Sequence, residues 1–546
     1  MDVRPDKLPD DVIELKRIIQ RQQAMIDQKQ KALEQRQRKI DGHLETISRK
    51  QTLIERLEAQ LRWLQQRRFG KSSEKHLGQI ELQLFNEAEL LDLQAMLDDA
   101  PPATITVPAH TRQRSKPRAL PQNLPRVDVV HDLPEADKIC ACGEPLTHIG
   151  DEVLEQLALI PQQYYVLRHL KRKYACSCKA CVRTATMPNQ PLPASQASPQ
   201  LLAQVMVSKY HDGLPLYRQE KMAAREGLDL PRAKLARWMI EGARVFQPLW
   251  NLLQDHFFSY DIAWADETGI QVLKENGRRP EAKSYLWIRR GGPPEQPVVL
   301  VDYSPSRSGD TAYSLLDDFN GYLVCDAYGG YNKSIQNNGL VPVFCNDHAR
   351  RNFADVLKSL GKGAKDKAKG WVASKAIEFY RRLYILERGM KDLPPPGKLE
   401  IRQTRAVPVW DEFLAWAREV QKRGVAHGGT REALAYLTRH AEGLRRYCED
   451  GRLPISNILA EHVAKAIAVP RKNFLFADTP AGADASARIF SLLETAKANN
   501  HHPQRYLSVL LTELPNITSI GDVEALLPWQ ISPEEVNRRY ADYPSL

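Results

Sequence analysis

The spacing of apolar residues divides the chain into stretches of different period. Between residues 10 and 68, Val12, Ile19, Ile26, Leu33, Ile40, Ile47, Ile54 and Leu61 recur at every seventh position, with no Pro and one Gly, Gly42. A sustained heptad predicts a long helix in a left-handed coiled coil. Its β-branched seam favours two strands, so a homodimer or higher assembly is expected. The second seam is apolar at Leu15, Leu57 and Leu64 but polar at Gln22, Lys29, Arg36, His43 and Lys50. Pairing should therefore be firmer at the ends than in the middle. Residues 101–126 then lose all periodicity, carry many prolines and basic residues and no acid, and read as a linker.

Residues 196–246 return to helical spacing, broken at Gly213, Gly227 and Pro231. The last break leads into a helix with a basic outer face, which suits either a helix-turn-helix or plain helical packing. From residue 257 the period drops to two. FFSYDIAWADETGIQVL, AKSYLWIRRGG and PVVLVDYS read as three strands, Gly309–Phe319 as a helix, and YLVCDAYGGY and VPVFCND as two further strands. That order fits an RNase H-like α/β core. Residues 349–450 read helical throughout, as an insertion within it.

Composition removes several classes. A chain of 546 residues with 42% apolar and 26% charged positions is multidomain and globular. No uncharged apolar run approaches the roughly 18 residues of a membrane span. Acids and prolines stand near the N-terminus where a signal peptide has its apolar run, so a cytoplasmic, non-membrane protein is expected. The net charge of +10 makes a polyanionic partner plausible. Of the eight cysteines, five fall between Cys140 and Cys181. Cys140 and Cys142 form one pair. Cys178 and Cys181, at the usual C-x2-C spacing, are preferred over Cys176 for the other, giving a closed site for one structural Zn2+ in a zinc ribbon.

Two carboxylates stand out in the strand-rich part. Asp266 follows Trp264 and Ala265 in the first strand, and Asp326 closes the apolar run Tyr322–Cys325 of the fourth. If these strands are neighbours, both acids face one site. Phosphoryl transfer with two metal ions needs such oxygen ligands, with a third acid on a helix packed against the sheet.

The text ADETGIQVL, VCDAYGGY, FCNDHARRNF, GRLPISNILAEH, RKNFLFA and SLLETAKANNHHPQRYL, in this order, resembles the insertion-sequence-66 family of DDE transposases. RRFGKSSEK, the CxCG segment and KYHDGLPLYRQE extend the likeness over nearly the whole chain. The resemblance implies a DNA transposase using two Mg2+ ions, with Asp266 and Asp326 as the first two catalytic acids and metal ligands. It also implies DNA partners, namely the terminal inverted repeats of an element and its target, and a nucleoid association. It leaves room for accessory proteins of the same element.

Glu461 and Glu494 are both candidates for the third acid. Glu461 is preferred, because it follows the Asn457 turn and opens a helical stretch. Around it the usual ER is Glu461-His462, the second Asn is Ile458, and an expected arginine is missing. His348, Arg350 and Arg351 resemble the family's HxRR stretch. His348 either positions a phosphate or simply starts a helix whose arginines are solvated. Glu267 should face away from Asp266 and be structural.

The expected architecture is a multidomain α/β chain. It has a coiled-coil helix (1–76), a basic linker (77–136), a zinc ribbon (137–192), a helical DNA-binding segment (193–255), an RNase H-like core (256–347 and 451–500) split by a helical insertion (348–450), and a C-terminal tail (501–546). The expected activity is cleavage and strand transfer of DNA. A DNA-binding regulator with weakened catalysis and a nuclease without strand joining are the alternatives.

Overall fold

The computed structural model describes residues 163–175, 182–359, 371–424 and 428–544, with scattered positions between 16 and 29 and at 128, 129 and 156. Most of the heptad stretch, the linker, and Cys140, Cys142, Cys176, Cys178 and Cys181 lie outside the described residues. The chain divides into two compact units, Asn86–Thr184 with Pro544–Leu546, and Met1–Phe85 with Ala185–Tyr543.

In the smaller unit β1 (Lys173–Ala175) pairs antiparallel with β2 (Val182–Thr184), Lys173 opposite Thr184 and Ala175 opposite Val182. The two strands flank the segment that holds the second cysteine group. The strand-like run starting at Tyr164 is extended over a much longer stretch in sequence than in structure: residues 163–172 have no regular structure. A strand needs a partner ladder, and β2 is only three residues long.

The larger unit opens with four helices, α1 (Pro199–Tyr210), α2 (Leu216–Arg225), α3 (Arg232–Val245) and α4 (Gln247–Ser259). Strands β3 (Ile262–Val272), β4 (Lys283–Gly291) and β5 (Val298–Ser304) form an antiparallel meander. Helix α5 (Gly309–Leu315), strand β6 (Tyr322–Cys325), helix α6 (Asn332–Asn337) and strand β7 (Val341–Phe344) follow. The sheet order is β5-β4-β3-β6-β7, with β6 parallel to β3 and β7 parallel to β6. Gly321 makes the β3–β6 approach feasible: at φ +130° an added Cβ would lie 2.3 Å from the Asp261 carbonyl oxygen.

After β7 come α7 (Asn346–Lys358), α8 (Val372–Gly389), α9 (Pro395–Ile401), a π-helical turn (Arg402–Ala406), α10 (Val407–Lys422), α11 (Gly428–Arg439) and α12 (Ala441–Arg445). This helical block has its own aromatic packing, with the rings of Phe379 and Phe413 stacked 4.7 Å apart. The chain then returns to the sheet in α13 (Ile458–Phe474), and the short strand β8 (Phe476–Ala477) pairs with the far end of β3. Helix α14 (Pro480–Ala498) lies along β5, and α15 (Pro503–Glu513), α16 (Ile520–Glu524) and α17 (Pro533–Ala541) complete the unit.

Residues 199–259 and 503–541 share one hydrophobic core with the sheet. Leu202 and Met206 of α1, Leu253 and Phe257 of α4, and Leu507 and Leu510 of α15 are all fully buried in it. The expected DNA-binding segment and C-terminal tail are thus part of the same packed body. The helical spacing of 196–246 announces burial of one face but not the surface it is buried against, and the tail carries no such signal.

Candidate active site

The site grows from one irregularity in the sheet. Strand β3 pairs with β6 only at Ile262, Ala263 and Trp264, and with β8 only at Gln271 and Val272. Among the described residues no strand covers that edge of β3 from Ala265 to Ile270. Asp266 stands at the start of this gap, after four buried residues. Asp326 is the first residue past β6. Because Trp264 lies opposite Val324, two further steps along each strand bring the chain to Asp266 and Asp326.

Asn457 fills the start of the gap. This buried residue, just before α13, donates from Nδ2 to the Ala265 carbonyl oxygen at 2.8 Å, where a strand partner would otherwise act. Its own carbonyl accepts from Glu461 N at 3.1 Å, so Glu461 lies in the first helical turn. Helix α13 packs across β3 and β4, and the negative charge of Glu461 reaches Asp266.

Burial raises the pKa of Asp266 well above the usual carboxylate range, and the charges of Glu267, Glu461 and Asp326 raise it further, against a bond from Glu267 N. Asp326 is raised by burial too, opposed by the Tyr328 N–H at 3.1 Å and by Arg307. Crowded, buried carboxylates of this kind suit a hard divalent cation, which takes oxygen ligands and offsets their repulsion. Asp266, Asp326 and Glu461 offer the oxygen donors such ions take, although their ligand atoms do not all lie within 4.8 Å of one another.

Glu267 has a different task. It accepts from the Arg307 guanidinium and, at 3.0 Å, from Tyr331 OH, while Arg307 lies 3.9 Å over the Tyr328 ring. These contacts tie β3 to the loop after Asp326. Glu494, the other candidate third acid, sits on α14 and is paired with Lys497 at 2.8 Å. It is not among the main charges that raise Asp266.

His348 lies in the first turn of α7, with Nδ1 3.4 Å from Glu461 Oε1. Burial holds its pKa below the usual imidazole value, against the pull of Glu461. Arg350 is half-buried and faces Asp347, Nε to Oδ1 3.8 Å, so it is not simply solvated. Two neighbours escaped the sequence reading. The sequence marks Asn457 only as a turn residue and gives no role to Cys345, whose Sγ is 3.4 Å from Glu461 Oε1. The spacing of Cys345 and His348 was the one signal for the second.

Comparisons with known proteins bear on most of the chain. A family model described as "Transposase IS66 family" matches residues 194–485. Models for the "zinc-finger binding domain of transposase IS66", "Transposase C of IS166 homeodomain" and "IS66 C-terminal element" match residues 137–179, 56–129 and 491–529. The zinc-finger match takes in Cys140, Cys142, Cys176 and Cys178 and ends before Cys181. Among curated proteins, the chain is similar to "Uncharacterized protein y4jD" of Sinorhizobium fredii (strain NBRC 101917 / NGR234), 29% identical over 432 residues, or 77% of this chain and 83% of that protein. It is also 27% identical over 496 residues to "Uncharacterized protein y4hP" of the same strain, 87% of each chain. No helix among the described residues is long and apolar enough to cross a membrane. The first match alone covers residues 194–485 of 546, and the chain belongs to the IS66 family of transposases.

Proposed function

We propose that the protein cuts DNA at the ends of a mobile element and joins the freed 3′ ends to a target. The observation that carries this is the placement of Asp266 and Asp326 two steps beyond the paired Trp264 and Val324 of neighbouring parallel strands, with Glu461 in the first turn of the helix that Asn457 ties to the uncovered edge of β3. A sheet of order β5-β4-β3-β6-β7, three strands antiparallel and two parallel, supports an RNase H-like core. Asp266, Asp326 and Glu461 would hold two Mg2+ ions, whose chemistry when bound is to activate the attacking oxygen and stabilise the leaving one.

The protein's own groups do the positioning. Asn457 fixes the start of α13 against β3, Arg307 and Tyr331 engage the Glu267 carboxylate beside Asp266, and His348 stays neutral beside Glu461. In the N-terminal half, Cys140, Cys142, Cys178 and Cys181 would hold one structural Zn2+, and the heptad helix would pair two protomers so that two element ends meet. The terminal inverted repeats and target DNA are the partners this reading implies, with accessory proteins of the element left open.

The test compares Asp266→Asn, Asp326→Asn, Glu461→Gln and Glu494→Gln on a duplex carrying the element's terminal repeat, in Mg2+. The first three should bind but not cut, because DNA binding rests mainly on Lys and Arg at phosphates. Glu494→Gln should cut. Cleavage by Glu461→Gln with a dead Glu494→Gln would overturn the third-acid assignment. Binding without any cleavage by the parent protein in Mg2+ or Mn2+ would favour a DNA-binding regulator. Zinc analysis of Cys176→Ser beside Cys181→Ser decides which thiol completes the zinc site.

A further inference from the structure

Cys345 ends the run of β7 and precedes α7, and His348 stands three residues later in the first turn of that helix. One strand-to-helix corner thus presents a thiol and an imidazole together. Both meet Glu461: Cys345 Sγ and His348 Nδ1 are each 3.4 Å from Glu461 Oε1. Among the described residues this is the one trio of potential ligand atoms lying within 4.8 Å of one another. Zinc bonds of about 2.0–2.3 Å at tetrahedral angles place neighbouring ligand atoms about 3.3–3.6 Å apart. The observed separations from Glu461 fall in that range without any backbone movement.

A second observation points the same way. His348 Nδ1 is buried and has no hydrogen-bond partner among the described residues, so its position facing Glu461 is not explained by a hydrogen bond. Cys345 is fully buried, while the side chains of His348 and Glu461 are 31% and 18% exposed. An ion could enter on that side, and water could complete its coordination. Thiol, imidazole and carboxylate together form a softer set than the all-oxygen ligands of Asp266 and Asp326, and select zinc-like ions over Mg2+.

We propose that Cys345, His348 and Glu461 form an inhibitory site for a thiophilic divalent cation such as Zn2+, separate from the zinc finger, which engages the Glu461 carboxylate and thereby shuts off DNA cleavage. The inhibition rests on the reading of Glu461 as the third acid; the binding does not. Cation binding displaces the thiol proton to solvent, so no oxidant or reductant is involved, and the site should tighten as pH rises.

The experiment uses the full-length protein with its finger zinc in place, titrated with Co2+ and read by thiolate-to-cobalt absorption in the near ultraviolet. One Co2+ per chain beyond the finger ion should bind with that absorption. The band should vanish in Cys345→Ser, and affinity in His348→Ala should fall by more than the roughly 10–100-fold that losing an outer-shell partner costs. Cys142→Ser should retain it. In parallel, the ratio of cleavage with and without micromolar Zn2+, in excess Mg2+, should drop steeply for the parent and stay near one for Cys345→Ser. No extra Co2+, Co2+ without the band, or a band untouched by Cys345→Ser would overturn the site. If Cys345→Ser fails to fold, His348→Gln decides by the same titration. Co2+ binding without Zn2+ inhibition would overturn the inhibitory role. Cleavage by Glu461→Gln would instead overturn the catalytic reading, and the titration, which needs no cleavage, would still judge the site.

Discussion

Replacing Asn457 separates the positioning of the active site from its chemistry. The residue is 1% exposed, and its Nδ2 donates to Ala265 O at 2.8 Å on the uncovered edge of β3. Its backbone N–H donates to Cys345 Sγ at 3.2 Å, and its carbonyl accepts from Glu461 N at 3.1 Å. Asn457→Ala leaves the Ala265 carbonyl without this amide, a loss of about 1–3 kcal/mol for a buried group. Asn457 Oδ1 has no hydrogen-bond partner among the described residues, so deleting it recovers part of that cost. The net loss should sit near the lower end, about 1–2 kcal/mol. The effect on rate should be larger, because a misplacement of about 1 Å in a reacting constellation costs on the order of 100-fold. Asn457→Asp should be worse on both counts, since it turns a carboxylate oxygen toward a carbonyl one residue before Asp266. Urea unfolding of the full-length protein gives the first quantity, and single-turnover cleavage of a terminal-repeat duplex gives the second. A variant Asn457→Ala that cuts within about twofold of the parent would refute the positioning argument, whatever its stability.

Thr495 and Ser491 on α14 cover the outer edge of the sheet: Val299 N donates to Thr495 Oγ1 at 3.0 Å and Val301 N to Ser491 Oγ at 2.8 Å. Thr495→Val keeps the shape and strands Val299, so the urea midpoint should fall by the equivalent of about 1–3 kcal/mol while cleavage per folded molecule holds. Asp266→Asn should raise the melting temperature of metal-free protein at neutral pH, because burial and neighbouring acids penalise its charge, even as cleavage is lost; a fall would contradict this. His501 is buried, with Nε2 2.7 Å from Pro528 O, and burial holds its pKa below the usual value. The unfolded chain then binds more protons, so this contribution is complete above about pH 6.5 and is lost as pH falls toward the folded value. Melting temperatures between about pH 5 and 7 should fall more steeply for the parent than for His501→Phe.

The strand and helix order from residue 257 onward was legible because period-two runs are punctuated by Gly, Pro and polar residues. Asp266 and Asp326 were legible for the same reason, as acids ending apolar runs. The partnership between Asn457 and Ala265 was not, since it depends on a strand gap created by β6 and β8 pairing with opposite ends of β3. Nor was the setting of Arg350: the sequence leaves its run either beside a phosphate-positioning His348 or solvated, but Tyr384 OH donates to Asp347 at 2.7 Å and draws that acid into the interior facing Arg350. Helical spacing likewise marked the stretch that holds α1 without revealing that it packs against α15, which lies in the part expected to be a tail. Local pattern reports that a face is buried; long-range pairing decides its partner.

The helical block between β7 and α13 shows how a site can be completed by a residue so far along the chain. Loop closure alone is a weak obstacle, since each doubling of loop length costs only about 0.6 kcal/mol. Positional accuracy is the harder requirement, and here both ends of the block are pinned. Asn346, at the start of α7, donates from Nδ2 to the carbonyls of Leu444 and Ile455 at 2.9 and 3.1 Å, and its backbone N–H also donates to Ile455 at 3.1 Å. Arg402, 3% exposed in the π-helical turn, spends one nitrogen on three carbonyls of the returning loop, those of Tyr447, Asp450 and Leu453, at 2.8–3.0 Å. Its other nitrogens are held by Glu387 of α8 at 2.7 and 2.9 Å. The returning loop is therefore fixed to the block's own helices before it reaches Asn457, and Asn457 fixes it to β3. Glu461 is placed by this relay of buried hydrogen bonds, so the block's described helices anchor the loop that carries the acid proposed as the third to the sheet.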